Sequence, residues 1–167
     1  MEQSAIRVLF VCLGNICRSP LAEAVFRRLV QARGLGLHYK VDSAGTGAWH
    51  AGQRPDCRSV EVGRRNGVRL TGRARQVEAL DLVNFDYIIA MDRQNLADLL
   101  ALSHSHNGPP RFHLLREFDP NPGDTQVPDP YFGDADGFDR VYDMVLRSCS
   151  ALLTYLEKKR TGTIDRA

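Results

Sequence analysis

A chain of 167 residues, 43% hydrophobic and 25% charged, has the composition of a single globular domain with room for a core. The formal net charge is only +2, and Lys and Arg are scattered without an aromatic-interleaved patch, which argues against a nucleic-acid partner. No stretch reaches membrane-span length, and Met1-Glu2-Gln3-Ser4 lacks the basic start of a signal peptide. The four cysteines (Cys12, Cys17, Cys57, Cys149) are too sparse for a disulfide framework, so a cytoplasmic, reducing location without a membrane partner is expected.

In chain order, Ile6 to Val11 reads as a strand apolar on both faces, as in a parallel sheet. Ser19 to Arg33 reads as a helix, with Ser19 as N-cap, Pro20 in the first helical position and Gly34 as stop. Leu37 to Asp42 reads as the second strand and Ser43 to Gly52 as a loop of small residues. Pro55 to Asn66 is helical, ending at Gly67; 68–77 is basic and irregular, and Val77 to Leu82 suggests a short helix. Tyr87 to Met91 is a buried strand, followed by a helix from Arg93 to about Leu102, a loop from Ser103 to Pro110 and a fourth strand from Arg111 to Leu115. Residues 117–136, with Pro120, Pro122, Pro128 and Pro130, form a loop long enough to suggest a function. Phe138, Val141, Val145, Cys149, Leu152 and Leu156 then fall on one face of a long helix. Alternating strands and helices predict an α/β fold with right-handed crossovers. A four-stranded parallel sheet of order 2-1-3-4 would put strand one in the centre.

The chemistry concentrates in Cys12-Leu13-Gly14-Asn15-Ile16-Cys17-Arg18-Ser19-Pro20, a loop joining the first strand to the first helix. A loop feeding a helix N-terminus directs backbone N–H groups at a common centre, where a phosphate dianion fits. Cys12 would sit beneath that centre, its thiolate favoured by the helix dipole and by Arg18. The planar fork of Arg18 can grip two phosphate oxygens. These residues predict attack of Cys12 on phosphorus to give a phosphocysteine. The departing oxygen needs a proton, and Asp129 in Asp129-Pro130-Tyr131-Phe132 is the best donor, with aromatic neighbours able to wall a ring. Asp119-Pro120 is a rival that spacing leaves open. Cys17 shares the loop with Cys12 and is a candidate redox guard, able to trap an oxidised sulfur as a disulfide.

These motifs resemble the low-molecular-weight protein tyrosine phosphatase family, over nearly the full 1–167 chain as one domain. The resemblance is carried by the Cys12–Ser19 string, Ser43-Ala44-Gly45-Thr46 with Trp49-His50, Asp56 and Arg58, Ala90-Met91-Asp92 with Asn95, and Asp129-Pro130-Tyr131-Phe132. It implies a flavodoxin-like three-layer sandwich with helices on both faces. It also implies hydrolysis of phosphotyrosine proteins without metal or cofactor, with a monomer expected, and favours Asp129 over Asp119. By the same resemblance Asn15 and Ser43 hold the phosphate loop, Ser19 hydrogen-bonds the Cys12 sulfur, and Leu13, Trp49, Tyr131 and Phe132 line the substrate cleft. His38, His50, His104, His106 and His113 carry no assigned chemistry. The chain departs from the family at Gly72, where many members have a His that buttresses the loop Asn; Asn15 is expected to lack that support.

Four alternatives compete. A protein-arginine phosphatase of the same fold carries Thr where this chain has Ile16, and the apolar Ile16 favours an aromatic ring. An arsenate reductase needs relay cysteines, and none lies between Cys57 and Cys149. A non-catalytic phosphate-binding module would have lost Cys12, Arg18 or Asp129. A metal site built on Cys12 and Cys17 lacks two further ligands at suitable spacing.

Overall fold

The computed structural model describes residues 3–103 and 111–164. Most of the expected 103–110 loop, with His104 and His106, lies outside the described residues. In chain order the elements are β1 (Ile6–Cys12), α1 (Arg18–Ala32), β2 (Tyr39–Gly45), α2 (Cys57–Arg65), α3 (Asp81–Asn84), β3 (Tyr87–Ala90), α4 (Arg93–Leu102), β4 (Arg111–Leu114), a 3-10 turn (Leu115–Glu117) and α5 (Gly137–Arg160). The four strands are parallel in the order β2-β1-β3-β4, as expected.

β1 is central because Val8, Leu9, Phe10 and Val11 are apolar in succession, and all four are fully buried. Alternation sends Val8 and Phe10 into one core with residues of α1, α2 and α5, while Leu9 and Val11 enter a second core with residues of α3 and α4. The result is three layers. In the larger core Phe10 meets Phe26 of α1, ring centroids 5.5 Å apart. Truncating a buried aromatic such as Phe10 costs about 3–5 kcal/mol. The predicted face of α5 (Phe138, Val141, Val145, Cys149, Leu152, Leu156) is buried throughout, and its last turn carries Lys158, Lys159 and Arg160 at the negative end of the helix dipole. No helix among the described residues is long and apolar enough to cross a membrane.

Three expectations need correction. α1 starts at Arg18 with Cys17 in the cap position and no side-chain cap bond; Ser19 lies inside the helix, because its hydroxyl is engaged elsewhere. Ser43, Ala44 and Gly45 belong to β2 rather than to a loop. Their backbone pairs with Phe10, Val11 and Cys12, and Gly45 N–H donates to Arg75 O at 2.8 Å. The short helix expected at Val77 to Leu82 is Asp81–Asn84, since Asp81 turns its carboxylate back to accept from Glu78 N–H at 2.7 Å and closes the turn that precedes the helix.

The connections after β1 and β3 leave the sheet in opposite directions. The carboxyl ends of these neighbouring strands therefore border a crevice, the place where open parallel sheets bind ligands.

Candidate active site

Residues 13–17 bridge the end of β1 and the start of α1. Four carbonyls of this stretch are bonded to neighbouring elements. Cys12 O accepts from Thr46 N–H and Leu13 O from Gly47 N–H, both at 2.9 Å, and Ile16 O accepts from Asp56 N–H at 2.7 Å. Cys17 O accepts from Ser59 Oγ at 2.9 Å. A loop whose carbonyls face outward keeps its N–H groups for the inside of the curve, which is how a backbone anion nest is made. Gly45 allows the close approach of β2: a Cβ there would stand 2.7 Å from Leu13 O.

Asn15 takes a left-handed conformation, φ 57°, uncommon without glycine, and its side chain holds it there. Nδ2 donates to Ser19 Oγ at 2.8 Å and to Ser43 Oγ at 3.0 Å, while Oδ1 accepts from Arg75 N–H at 3.0 Å. Ser43 Oγ donates in turn to Glu23 Oε1 at 2.8 Å. So Asn15 has three partners in the absence of a residue-72 side chain, and β2, α1 and the Arg75 backbone supply the support expected to be missing. Burial pushes the Glu23 carboxyl up, against the bond from Ser43 and the field of Arg27.

The Cys12 sulfur is at the base of the loop, with the residue 2% exposed. Asn15 N–H donates to it at 3.3 Å, and Ser19 Oγ lies 3.0 Å away. Arg18 is also buried. Its Nη1 donates to Asp92 Oδ2 at 2.6 Å and to Val127 O at 3.1 Å, and its Nη2 stands 3.5 Å from Asp129 Oδ2. Burial opposes the Arg18 charge, but the fields of Cys12, Asp92 and Asp129 outweigh it and hold the guanidinium above its ordinary value. Asp92 is fixed as the cap of α4, accepting from Asn95 N–H at 2.8 Å.

A cleft of about 320 Å³ opens over the sulfur, lined by Cys12, Leu13, Gly14, Ile16, Cys17, Arg18, Trp49, His50, Asp129, Tyr131 and Phe132. Trp49 lies over Gly47, where a Cβ would fall 1.9 Å from the indole ring, so only glycine permits this position. Tyr131 and Phe132 meet edge to face, centroids 4.7 Å apart. Asp129 is half-exposed on the cleft wall, and its Oδ1 accepts from Tyr131 N–H at 3.1 Å.

Asp119 is elsewhere. Its side chain is fully buried between Arg116 and Arg147, at 3.4 and 3.2 Å, and does not line the cleft. Burial raises its carboxyl, but the bonds from Arg147 and Asn121 N–H and the charge of Arg116 outweigh that and keep it below the ordinary carboxylate range. Cys17 is buried, and its thiol is pushed up to about 12, first by burial and then by the fields of Asp56 and Cys12. Ser19, Ser43 and Asn15 lie behind the sulfur rather than on the cleft wall. Among the described residues no cluster of three or more His, Cys, Asp or Glu has the arrangement of a metal site.

Sequence reasoning left three contributors without a role. His50 lines the cleft, its ring 6.4 Å from that of Tyr131. Asp92 and Glu23 stand behind Arg18 and Asn15. For Asp92 a signal was present, since Asp92 and Asn95 have the spacing of a reciprocal helix cap. Glu23 gives no sequence signal, because its partner Ser43 is twenty residues away.

A thiol at the floor of an arginine-backed loop, in the central crevice of a parallel sheet, is an arrangement able to hold a phosphoryl group near a sulfur atom. Residues 7–162 match the family model described as low molecular weight phosphotyrosine protein phosphatase, and the chain belongs to that family. The low molecular weight phosphotyrosine protein phosphatase of Schizosaccharomyces pombe is 48% identical over 139 residues, covering 82% of this chain and 88% of the relative. The crystal structure of a protein tyrosine phosphatase from Entamoeba histolytica with Hepes in the active site superposes with a TM-score of 0.89 at 40% identity, covering 93% of this chain and 99% of that one. A Drosophila arginine phosphatase superposes with a TM-score of 0.85 at 36% identity, covering 90% and 98%.

Proposed function

We propose that this protein is a single-domain phosphatase that hydrolyses phosphotyrosine in proteins through a phosphocysteine on Cys12. In the first step Cys12 Sγ forms a bond to phosphorus as the bond to the tyrosyl oxygen breaks. Asp129 gives that oxygen its proton. In the second step the Asp129 carboxylate takes a proton from water, the water oxygen bonds to phosphorus, and the Cys12 thiolate leaves. Arg18 and the loop amides bind the phosphoryl oxygens in both steps. Asn15 N–H and Ser19 Oγ hold the sulfur's negative charge when it departs.

The observation that carries this reading is the shared cleft: Cys12 and Asp129 line one cavity whose walls include Leu13, Trp49, Tyr131 and Phe132, a slot suited to a flat ring. Asp119, held ionised between two arginines, is not among the residues lining that cavity. The protein acts as a monomer in the cytoplasm, a setting that suits its four free thiols.

The reading is tested by hydrolysis of phosphotyrosine, phosphoserine and phosphoarginine peptides side by side in chelator. The wild type should prefer phosphotyrosine. Cys12→Ser should fold and bind phosphate without turnover, since no base stands beside the serine hydroxyl. Substantial turnover by Cys12→Ser, or selectivity for phosphoserine, would overturn the proposal.

A further inference from the structure

The first turn of α2 touches both halves of the site. It is bonded twice to the phosphate loop, through Asp56 N–H to Ile16 O at 2.7 Å and Ser59 Oγ to Cys17 O at 2.9 Å. Asp56 caps the helix, accepting from Arg58 N–H at 2.9 Å. The same carboxylate grips the Arg58 guanidinium along one edge, Nε to Oδ1 at 3.0 Å and Nη2 to Oδ2 at 2.8 Å. On the remaining nitrogen, Nη1 donates to Tyr131 O at 3.0 Å. The guanidinium carbon also lies 5.2 Å from the Tyr131 ring centroid and 4.7 Å from that of Phe138 at the start of α5. Tyr131 N–H then donates to Asp129 Oδ1 at 3.1 Å.

A solvent-exposed ion pair by itself is worth little. Arg58 is different because one planar fork makes five contacts at once, and a planar, bidentate, ring-stacked arginine cannot be replaced by lysine without losing geometry. The Asp129 carboxylate has little else to fix it. Its side chain is 46% exposed, and its ion pair with Arg18 is 3.5 Å long. Where it stands depends on the backbone of 129–131, and Arg58 ties that backbone to the element bonded to the phosphate loop.

We infer that Arg58 is a positioning residue for the acid: through Tyr131 it sets where Asp129 stands relative to a phosphoryl group held in the Cys12 loop. The inference rests on the assignment of Asp129 as the general acid. A displacement of about 1 Å in a catalytic group can cost up to about a hundredfold in rate. The loss falls mostly on substrates whose leaving oxygen needs the proton.

The experiment measures kcat/KM for phenyl phosphate and nitrophenyl phosphate, and the inhibition constant of inorganic phosphate. It compares wild type, Arg58→Ala, Arg58→Lys, Asp129→Asn and the Arg58→Ala/Asp129→Asn double variant. Asp129→Asn should lower the phenyl-to-nitrophenyl ratio strongly. Arg58→Ala should lower it about tenfold, and Arg58→Lys, which keeps the charge and the fold, nearly as much. The phosphate inhibition constant should move less than about twofold, because the loop itself is intact. In the Asp129→Asn background Arg58→Ala should cause no further fall in the ratio. Equal losses on both substrates in the Arg58 variants, or an additive fall in the double variant, would overturn the inference while leaving Asp129 in its role. An unchanged ratio in Asp129→Asn would overturn the acid assignment, and the inference with it.

Discussion

Asn15 Nδ2 donates to Ser19 Oγ at 2.8 Å, and that contact decides where the Ser19 proton points. A hydroxyl that accepts there has one proton left. The Cys12 sulfur is nearer, at 3.0 Å, than Ala44 O at 3.4 Å. In the proposed mechanism Ser19 then donates to the sulfur, and the benefit is greatest when the thiolate departs from phosphorus. Ser19→Ala should slow phosphocysteine hydrolysis by about tenfold to a hundredfold, the value of a hydrogen bond to a charged group. Rapid-quench trapping should show the phosphoenzyme accumulating. A uniform rise in KM with kcat unchanged would show that Ser19 only shapes the loop.

Cys17 should form a disulfide with oxidised Cys12, and the rate should depend on pH. With its thiol pushed up to about 12, Cys17 is almost wholly protonated at neutral pH, and the thiolate is the species that attacks. Its thiolate fraction, and so the rate of bridging after mild peroxide, should rise about tenfold per pH unit between pH 7 and 9. Mass spectrometry should find a reductant-sensitive Cys12–Cys17 bridge. Overoxidised Cys12 without a bridge would count against the guard.

Ile16 should help select tyrosine over arginine phosphate. It is 7% exposed and lines the cleft beside Cys17 and Arg18, so an apolar branch borders the bound group. The Ile16→Thr variant should shift the ratio of kcat/KM from phosphotyrosine toward phosphoarginine by roughly tenfold to two-hundredfold. The structural likeness to an arginine phosphatase makes the control informative. A wild type preferring phosphoarginine would reassign the substrate and leave Cys12, Arg18 and Asp129 in place.

Glu157 should contribute to acid sensitivity. Bonds from Arg160, first, and from Tyr39 hold its carboxyl below the ordinary value of 4.5, against the effect of burial. A carboxyl lowered by folding stabilises the fold above its unfolded pKa and loses that contribution as pH falls through its folded pKa. The loss should therefore begin near pH 5 and continue below about pH 4. Glu157→Gln should have a lower Tm than wild type at pH 7, with the gap closing toward pH 3. A constant gap would assign the effect to packing.

The legible parts of the molecule were those written in local periodicity. β1 showed as four apolar residues in a row, α5 as a 3.6-residue stripe, and the phosphate loop as a compact string between β1 and α1. The end of β2 was illegible because Ser43, Ala44 and Gly45 have no strand-like side chains; their pairing with β1 makes them a strand. Ser19 had the signature of a cap, yet a thiol and an amide in the folded chain claimed its hydroxyl. Arg58 was visible as part of a motif, but its carbonyl partner on Tyr131 lies 73 residues away, beyond local pattern. Spacing could not separate Asp129 from Asp119; in the folded chain one aspartate is walled in by Arg116 and Arg147, while the other lines the cleft that Cys12 and Arg18 also line.

The fastening of the long segment before the acid has a consequence for how much length change this fold tolerates. The segment is anchored by Asp119 at one end. At the other, Val127 N–H donates to Met91 O at 2.8 Å and Val127 O accepts from Arg18. Between these anchors Gly123 is exposed, and its φ is 52°. Extra residues inserted at Gly123 would bulge into solvent and leave both anchors in register. From Val127 to Asp129 no such slack exists: each added residue spans up to about 3.5 Å, more than the distance over which a proton is handed to a leaving oxygen. Length variation should therefore be harmless on one side of Val127 and abolish turnover on the other.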